Sequence, residues 1–572
     1  MTLYRPAITG TRHTIVSGHY LATSAGFQIL ESGGNAVDAG CAAGIALGVL
    51  QSELVNFAGV APIILYDAQT DRVHTISGLG SWPKRMTSNL FAEQFNGQIP
   101  ESILRTVVPA APDSWLTALE LFGTMSFSEV SAAARRFASE GFVMYPLMAE
   151  NIDRHSKDFG RWESNSEIYL PNGRPPIVGE IFIQADLGRT LQYMADEESA
   201  CTGDRVDGLQ AARDAFYRGD IASKIIEFHN ENGGFLRADD LEEFRVTVEN
   251  PLHIEFMGTD VFTCGPWCQG PTLLQILKLL ERFDLTQMGH NSPSYIHTLT
   301  EAIKLAFADR HFFYGDPQFI NVPIDALIST RYNEAREKLI RPTEAWPGLP
   351  PAGDPLNYKA YGQNLDNLDN ELSSGPKNLD TSYVCVTDSA GNIFSCTPSD
   401  VANESPVIPG TGLCPSSRGS SSWANPHHAS SVQAGKRPRL TPNPALAIHK
   451  NHFSLPFGTP GGDIQVQAMI QCFLNVVLWQ MDPQEAVEHP RFGSYSFPNT
   501  FEPHDYHPGK LMIESRLADD TIDQLLELGH KVEKWPDWTW EAGGVGMIKT
   551  TIPEKIHIGG ADPRRPTYAI GW

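Results

Sequence analysis

Apolar residues recur at helical spacing over residues 20–30, and Gly33-Gly34 supplies the stop signal. Residues 36–50 predict a second helix, built almost wholly from Ala, Gly, Val, Leu and Ile; its small side chains suit close packing in the interior. Strands are expected at 63–66 and 73–76 around a turn at 67–71. Amphipathic helices follow over 114–121 and 126–139, the second opening with Ser126 and Glu129 at capping-box spacing. Residues 160–180, with Pro171, Pro175 and Pro176, read as loop. A Leu273/Ile276/Leu277/Leu280 stripe predicts a helix over 272–282, and Ser292-Pro293 begins another that runs to about Phe313. A Pro/Gly connector at 342–355 leads into 356–380, which is poor in apolar residues and rich in Asn, Asp and Ser. Beyond the hairpin described next lie a Gly/Pro/Ser-rich loop at 406–422, strands at 446–449 and 453–456, and a helix over 464–479. The chain contains no internal repeat.

The most informative stretch begins at Thr381. Two β-type runs, 381–387 and 393–399, flank the turn cluster Asp388-Ser389-Ala390-Gly391-Asn392. A turn symmetric about Ala390 sets Thr381 opposite Ser399 and Tyr383 opposite Thr397. Strand alternation then gathers Thr381, Thr397 and Ser399 on one polar face and Val384, Val386, Phe394 and Cys396 on a core face. Threonine is a good strand residue, so a structural role is the bland reading. Against it stands the preceding segment, whose polar run ends at Asp380 directly before a buried strand. That suits a chain cut at Asp380–Thr381. The new N-terminal threonine would carry its own base, its α-amine taking the hydroxyl proton. A second feature is Gly461-Gly462, between a strand and a helix, where backbone N–H groups can approach a ligand and hold an oxyanion. A Gly-Gly turn alone is weak evidence, and G-x-S-x-G, H-E-x-x-H and P-loop sequences are absent.

Composition narrows the partners. The 572 residues are enough for a large core and more than one domain, and 49 Gly and 41 Pro imply many turns. With 43 basic against 67 acidic residues the net charge is −24, which argues against nucleic acid or an anionic membrane as partner. The N-terminal residues show no apolar signal region and the longest apolar stretch, 40–50, is too short to span a bilayer, so a cytoplasmic location is expected. Eight scattered cysteines then read as reduced thiols; Cys264 and Cys268 lack a second pair at zinc spacing and read as structural, so no metal and no cofactor is expected.

Taken together, Gly33 to Ala39, Glu301 to Arg310, Gly315-Asp316-Pro317, Thr381 to Asn392, Gly461-Gly462 and Ala561-Asp562-Pro563-Arg564 resemble the γ-glutamyltransferase (glutathione hydrolase) family of N-terminal nucleophile hydrolases, in order and over nearly the whole chain. The resemblance implies an α+β fold, a four-layer αββα sandwich. It also implies a precursor that cuts itself before Thr381 into a large part, 1–380, whose residues 343–380 form a flexible pre-cleavage tail, and a small part, 381–572. These stay together, and a dimer of such heterodimers is compatible with the family. Thr381 would attack a small amide, Thr397 and Ser399 would orient it, and Gly461 and Gly462 would hold the oxyanion. The departures concern substrate. The arginine that holds a γ-glutamyl carboxylate falls on Ser88 or its neighbour, and the family's paired serines are Leu440-Thr441 here. The sequence is therefore more similar to the acylase and amidohydrolase branch, which includes enzymes like cephalosporin acylase and oxamate amidohydrolase. Two rival readings remain: a γ-glutamyl hydrolase or transferase in which Arg85, Arg437 or Arg439, with Thr441, rebuilds the clamp, and an uncut, non-enzymatic binding protein.

Overall fold

The computed structural model describes residues 3–362 and 381–572. Fourteen of its strands form two seven-stranded sheets: β1 (Ile8–Gly10), β2 (Thr14–Ser17), β3 (Ile63–Asp67), β4 (Arg72–Ile76), β5 (Val248–Glu249), β6 (Leu252–Phe256), β7 (Thr259–Thr263), β8 (Val384–Thr387), β9 (Ile393–Cys396), β10 (Ala445–His449), β11 (Phe453–Gly458), β12 (Gly546–Thr551), β13 (His557–Ala561) and β14 (Tyr568–Gly571). One sheet runs β1-β13-β12-β11-β10-β7-β6, the other β14-β2-β8-β9-β3-β4-β5, and every pairing is antiparallel. Helices and antiparallel sheets together make the α+β class.

The apolar faces show how the layers meet. Val16, Tyr383, Cys385, Ile548, Ala561 and Ala569 pack between the two sheets, as do Ile64, Ile393 and Leu446. On the other side of β8 and β9, Val384, Val386, Phe394 and Cys396 join a core with α1 (Tyr20–Glu31), α2 (Ala36–Leu50), α3 (Ala111–Phe122), α4 (Phe127–Glu140) and α5 (Ala185–Ala200). The other sheet's outer residues, among them Val261, Ala447 and Phe457, pack with α6 (Gly270–Leu280), α7 (Pro293–Phe313) and α8 (Gln465–Leu478). The core face read from strand alternation is the one observed.

Local chemistry explains most boundaries. The helix expected at 36–50 is α2, capped by Asn35, whose side chain accepts from Val37 and Asp38 N–H while Asp38 reaches back to the Asn35 N–H. Asp38 also accepts from Thr124 N–H and Oγ1 and from Met125 N–H, tying α2 to the start of α4. The Ser126/Glu129 box forms with both its bonds. The third helix starts earlier than its apolar pattern suggests, at Ala111, because Pro112 fits the first turn. The stretch 160–180 contains a helix, Glu163–Tyr169, that its prolines concealed. The reading of 343–380 as flexible is corrected for its first part. Ala345 and Ala352 are buried, Trp346 N–H donates to Glu301, Leu349 N–H to the Tyr506 hydroxyl, and Gly353 N–H to Asp309. Residues 363–380, including Asp380, lie outside the described residues. Among the described residues no helix is long and apolar enough to cross a membrane.

The closest approach between α2 and its sheet depends on Gly40. A Cβ there would stand 2.1 Å from Cδ1 of the buried Phe394 ring. Gly40→Val overpacks this contact and is expected to cost about 1–3 kcal/mol. The check is thermal unfolding: a lowered Tm is expected, and an unchanged Tm contradicts the packing described.

Candidate active site

Thr381 enters the structure three residues before β8. The register of the hairpin, Val384 opposite Cys396 through Thr387 opposite Ile393, continues outward to an isolated antiparallel bridge between Thr381 and Ser399. Ser382 N–H donates to Pro398 O at 3.0 Å and Gly18 N–H to Tyr383 O at 3.0 Å, so the strand's entry is held on both sides. Thr381 is 2% exposed and its Oγ1 lies 2.8 Å from Ser399 Oγ. Thr397 is different. It is buried and its Oγ1 makes no hydrogen bond, so of the two expected orienting hydroxyls the structure brings only Ser399 to Thr381.

Behind Ser399 stands a residue the sequence reading passed over. An Arg418 terminal nitrogen donates to Ser399 Oγ. Arg418 sits 1% exposed in a 3₁₀ turn, Arg418–Ser421, inside the Ser-rich loop, with Phe501 beneath its guanidinium at 5.3 Å. Its Nε is 3.8 Å from Asp400, whose carboxylate accepts from the Ser416 and Ser417 hydroxyls and the Ser417 N–H. Asp400 has φ +132°, a backbone strain of about 1–3 kcal/mol that this ring of donors holds in place. Burial pushes its carboxyl pKa up even with the arginine nearby. A second buried pair, Arg105–Glu404 at 2.8 Å, fastens the same loop to 99–105 through the Ile99 and Pro100 carbonyls.

The glycine turn reaches Thr381 through Gln465, the first residue of α8, whose Nε2 is 3.5 Å from Thr381 Oγ1. Gly461 and Gly462 have φ +123° and +56°, the left-handed range that disfavours a side chain. Gln269 Nε2 donates to both Gly462 O and Thr441 O, while Arg310 binds Gln269 Oε1 and the carboxylate of Asp463. Asp463 in turn accepts from Thr500 N–H and Oγ1 at 2.8 Å. The turn is thus fixed by long-range bonds that no local pattern announces. A small cavity lies against it, lined by Gly461, Gly462, Tyr495, Phe497, Asn499 and Phe501.

The candidate substrate arginines are elsewhere engaged. Arg85 and Ser88 are exposed. Arg437 is buried between Asp316 at 2.9 Å and Glu249 at 3.0 Å. Arg439 is buried over the Trp423 ring and donates to Arg310 O, and burial drives its pKa down. Thr441 is buried with its hydroxyl unbonded. The one grouping of metal-type ligands, His297, Glu301 and His530, is occupied by its own bonds. His297 Nδ1 is 2.9 Å from His530 Nε2, and Glu301 meets Lys304 Nζ at 2.7 Å and Trp346 N–H at 3.0 Å. A buried ammonium beside the carboxylate makes this a structural network, not a cation site.

A buried threonine hydroxyl at a strand entry, held by a second hydroxyl and faced by a glycine turn, belongs with nucleophilic amide chemistry. The comparisons agree: the gamma-glutamyltranspeptidase family model matches residues 22–572, and the chain belongs to that family. It is 28% identical to the glutathione hydrolase-like YwrD proenzyme of Bacillus subtilis, over 99% of each chain. It is 29% identical to the acylase ACY 1 proenzyme of a Pseudomonas species, covering 95% of this chain and 90% of the other. The crystal structure of cephalosporin acylase from Bacillus halodurans superposes over 100% of this chain and 98% of that one with TM-score 0.86; at 24% identity this is a likeness of fold. The protein is an amidohydrolase of this family.

Ser399→Ala would strip the buried Arg418 and Thr381 of a shared partner, at an expected cost of about 1–3 kcal/mol. Ser399→Thr keeps the hydroxyl and should lose clearly less. Tm values of the two variants check this; equal losses contradict a hydrogen-bonding role.

Proposed function

We propose that the protein is a self-cleaving amide hydrolase that works through a threonyl acyl-enzyme on a small acyl amide. The observation that carries this reading is the Thr381 hydroxyl, buried and 2.8 Å from Ser399 Oγ, at the first described residue after the 363–380 gap. Cleavage at Asp380–Thr381 divides the chain into 1–380 and 381–572. The paired sheets with helices packed outside each support the four-layer αββα arrangement of N-terminal nucleophile hydrolases. The relatives' names as proenzymes support processing.

In this mechanism the Thr381 α-amine, with an ordinary pKa of about 7.7–8.0, takes the hydroxyl proton as Oγ1 attacks the amide carbonyl. The oxyanion of the tetrahedral intermediate is held by N–H groups of Gly461 and Gly462. The α-ammonium gives its proton to the departing amine. Water, activated by the same amine, then cleaves the ester and restores the hydroxyl. Ser399 keeps Oγ1 on line.

A γ-glutamyl substrate is the second reading, favoured by the likeness to glutathione hydrolases. It needs a cation for the α-carboxylate and an anion for the α-ammonium. Arg437 is committed to two carboxylates and Arg85 is exposed, which supports the acylase reading instead. Higher kcat/KM on glutathione than on amides lacking the α-amino group would reverse that preference.

The defining test is processing. Wild-type protein is expected as two chains, the smaller beginning at Thr381, and Thr381→Ala as one chain of 63.0 kDa. Intact mass decides; a cut Ala variant refutes the nucleophile, and an uncut wild type favours the binding-protein reading.

A further inference from the structure

We propose that Arg418 anchors a carboxylate on the acyl half of the substrate, so that the enzyme takes monoamides of short dicarboxylic acids. The inference rests on the threonine-nucleophile reading and adds the substrate class.

A guanidinium has five N–H donors in a planar fork. Among the described residues, Arg418 uses a single donor in a hydrogen bond, to Ser399 Oγ, although the residue is 1% exposed. Its Nε is buried without a partner, since Asp400 at 3.8 Å balances charge but is beyond hydrogen-bond reach. Buried donors left unfilled are costly, and a carboxylate is the group whose geometry fills two at once. Two further hydroxyls on the same turn, Ser420 and Ser421, are buried and unbonded, which adds neutral polar capacity beside the guanidinium.

Position makes this a substrate contact. Arg418 is two hydrogen bonds from the nucleophile, through Ser399 to Thr381 Oγ1. Phe501, which underlies its guanidinium, also lines the cavity against Gly461 and Gly462. A carboxylate one to three carbon–carbon bonds from the reacting carbonyl, each about 1.5 Å, stays within that distance. Oxalyl, malonyl and succinyl groups qualify. The nearby carboxylates are committed: Asp400 to Ser416 and Ser417, Glu404 to Arg105, and Asp463 to Arg310 and Thr500. An acyl group bearing an ammonium is therefore disfavoured at this position.

The test compares kcat/KM of the processed wild type on oxamate, malonamate and succinamate with that on neutral isosteres such as levulinamide. At least one anionic amide is expected to lead its isostere by about tenfold or more, the scale of a charged hydrogen bond. Arg418→Gln should erase most of that ratio, and Arg418→Lys, which keeps the charge without the fork, should restore part of it. The two-chain pattern certifies folding of each variant. If a variant stays uncut, wild-type inhibition decides: succinate should compete with substrate at least about tenfold better than butyrate. An equal ratio in wild type and Arg418→Gln, or equal inhibition by the two acids, overturns the proposal while amide hydrolysis stands. Turnover of no amide of either kind refutes the threonine reading, and the proposal with it.

Discussion

The antiparallel register between β8 and β9 is the constraint on which the site depends. It places Val384 opposite Cys396 and, carried outward, Thr381 opposite Ser399. A slip of one residue would set Thr381 against a proline or a charged neighbour and turn Val384 and Val386 from the helical core toward the other sheet. Burial of those valines with Phe394 and Cys396 therefore fixes the hydroxyl pair as firmly as it fixes the core. One side of the hairpin supplies stability and its open end supplies chemistry.

The ends of that construction are held by charge. Arg310 and Asp463 pin the residue beside the glycine turn, and Arg105 with Glu404 pins the loop that carries Arg418. At the far side of α8, Arg491 and Arg564 share Asp562, and Arg564 also meets Glu514 at 2.7 Å. Buried pairs of this kind add little net stability, because desolvation offsets attraction, yet breaking one strands its partner. Their value is geometric: each joins segments far apart in sequence. The conspicuous Glu301–Arg310 and Ala561–Arg564 stretches turn out to be such fastenings, not substrate contacts.

This explains what the sequence made legible. The hairpin, α2 with its Asn35 cap and the Gly461-Gly462 turn depend on neighbours within a few residues, and local patterning exposes them. Arg418 sits in a Gly/Pro/Ser-rich loop without periodicity, so nothing local marks it as the donor to Ser399. Gln269 lies 172 residues before the Thr441 carbonyl it holds, and Arg310 lies 153 before Asp463. The clamp candidates Arg437 and Arg439 were found by charge and proximity to a motif. Charge alone could not reveal that Asp316 and Glu249 already hold the first and that Trp423 covers the second.

The central claim is that the Thr381 hydroxyl becomes acylated. Rapid acid quench of the processed protein during turnover of an activated amide, followed by peptide mass spectrometry, measures this directly. The account predicts a mass increase equal to the acyl group on the peptide that begins at Thr381, located on its side chain and lost on further incubation. An unmodified Thr381 peptide during a demonstrated burst of amine release, or the acyl group on any other residue, would contradict it.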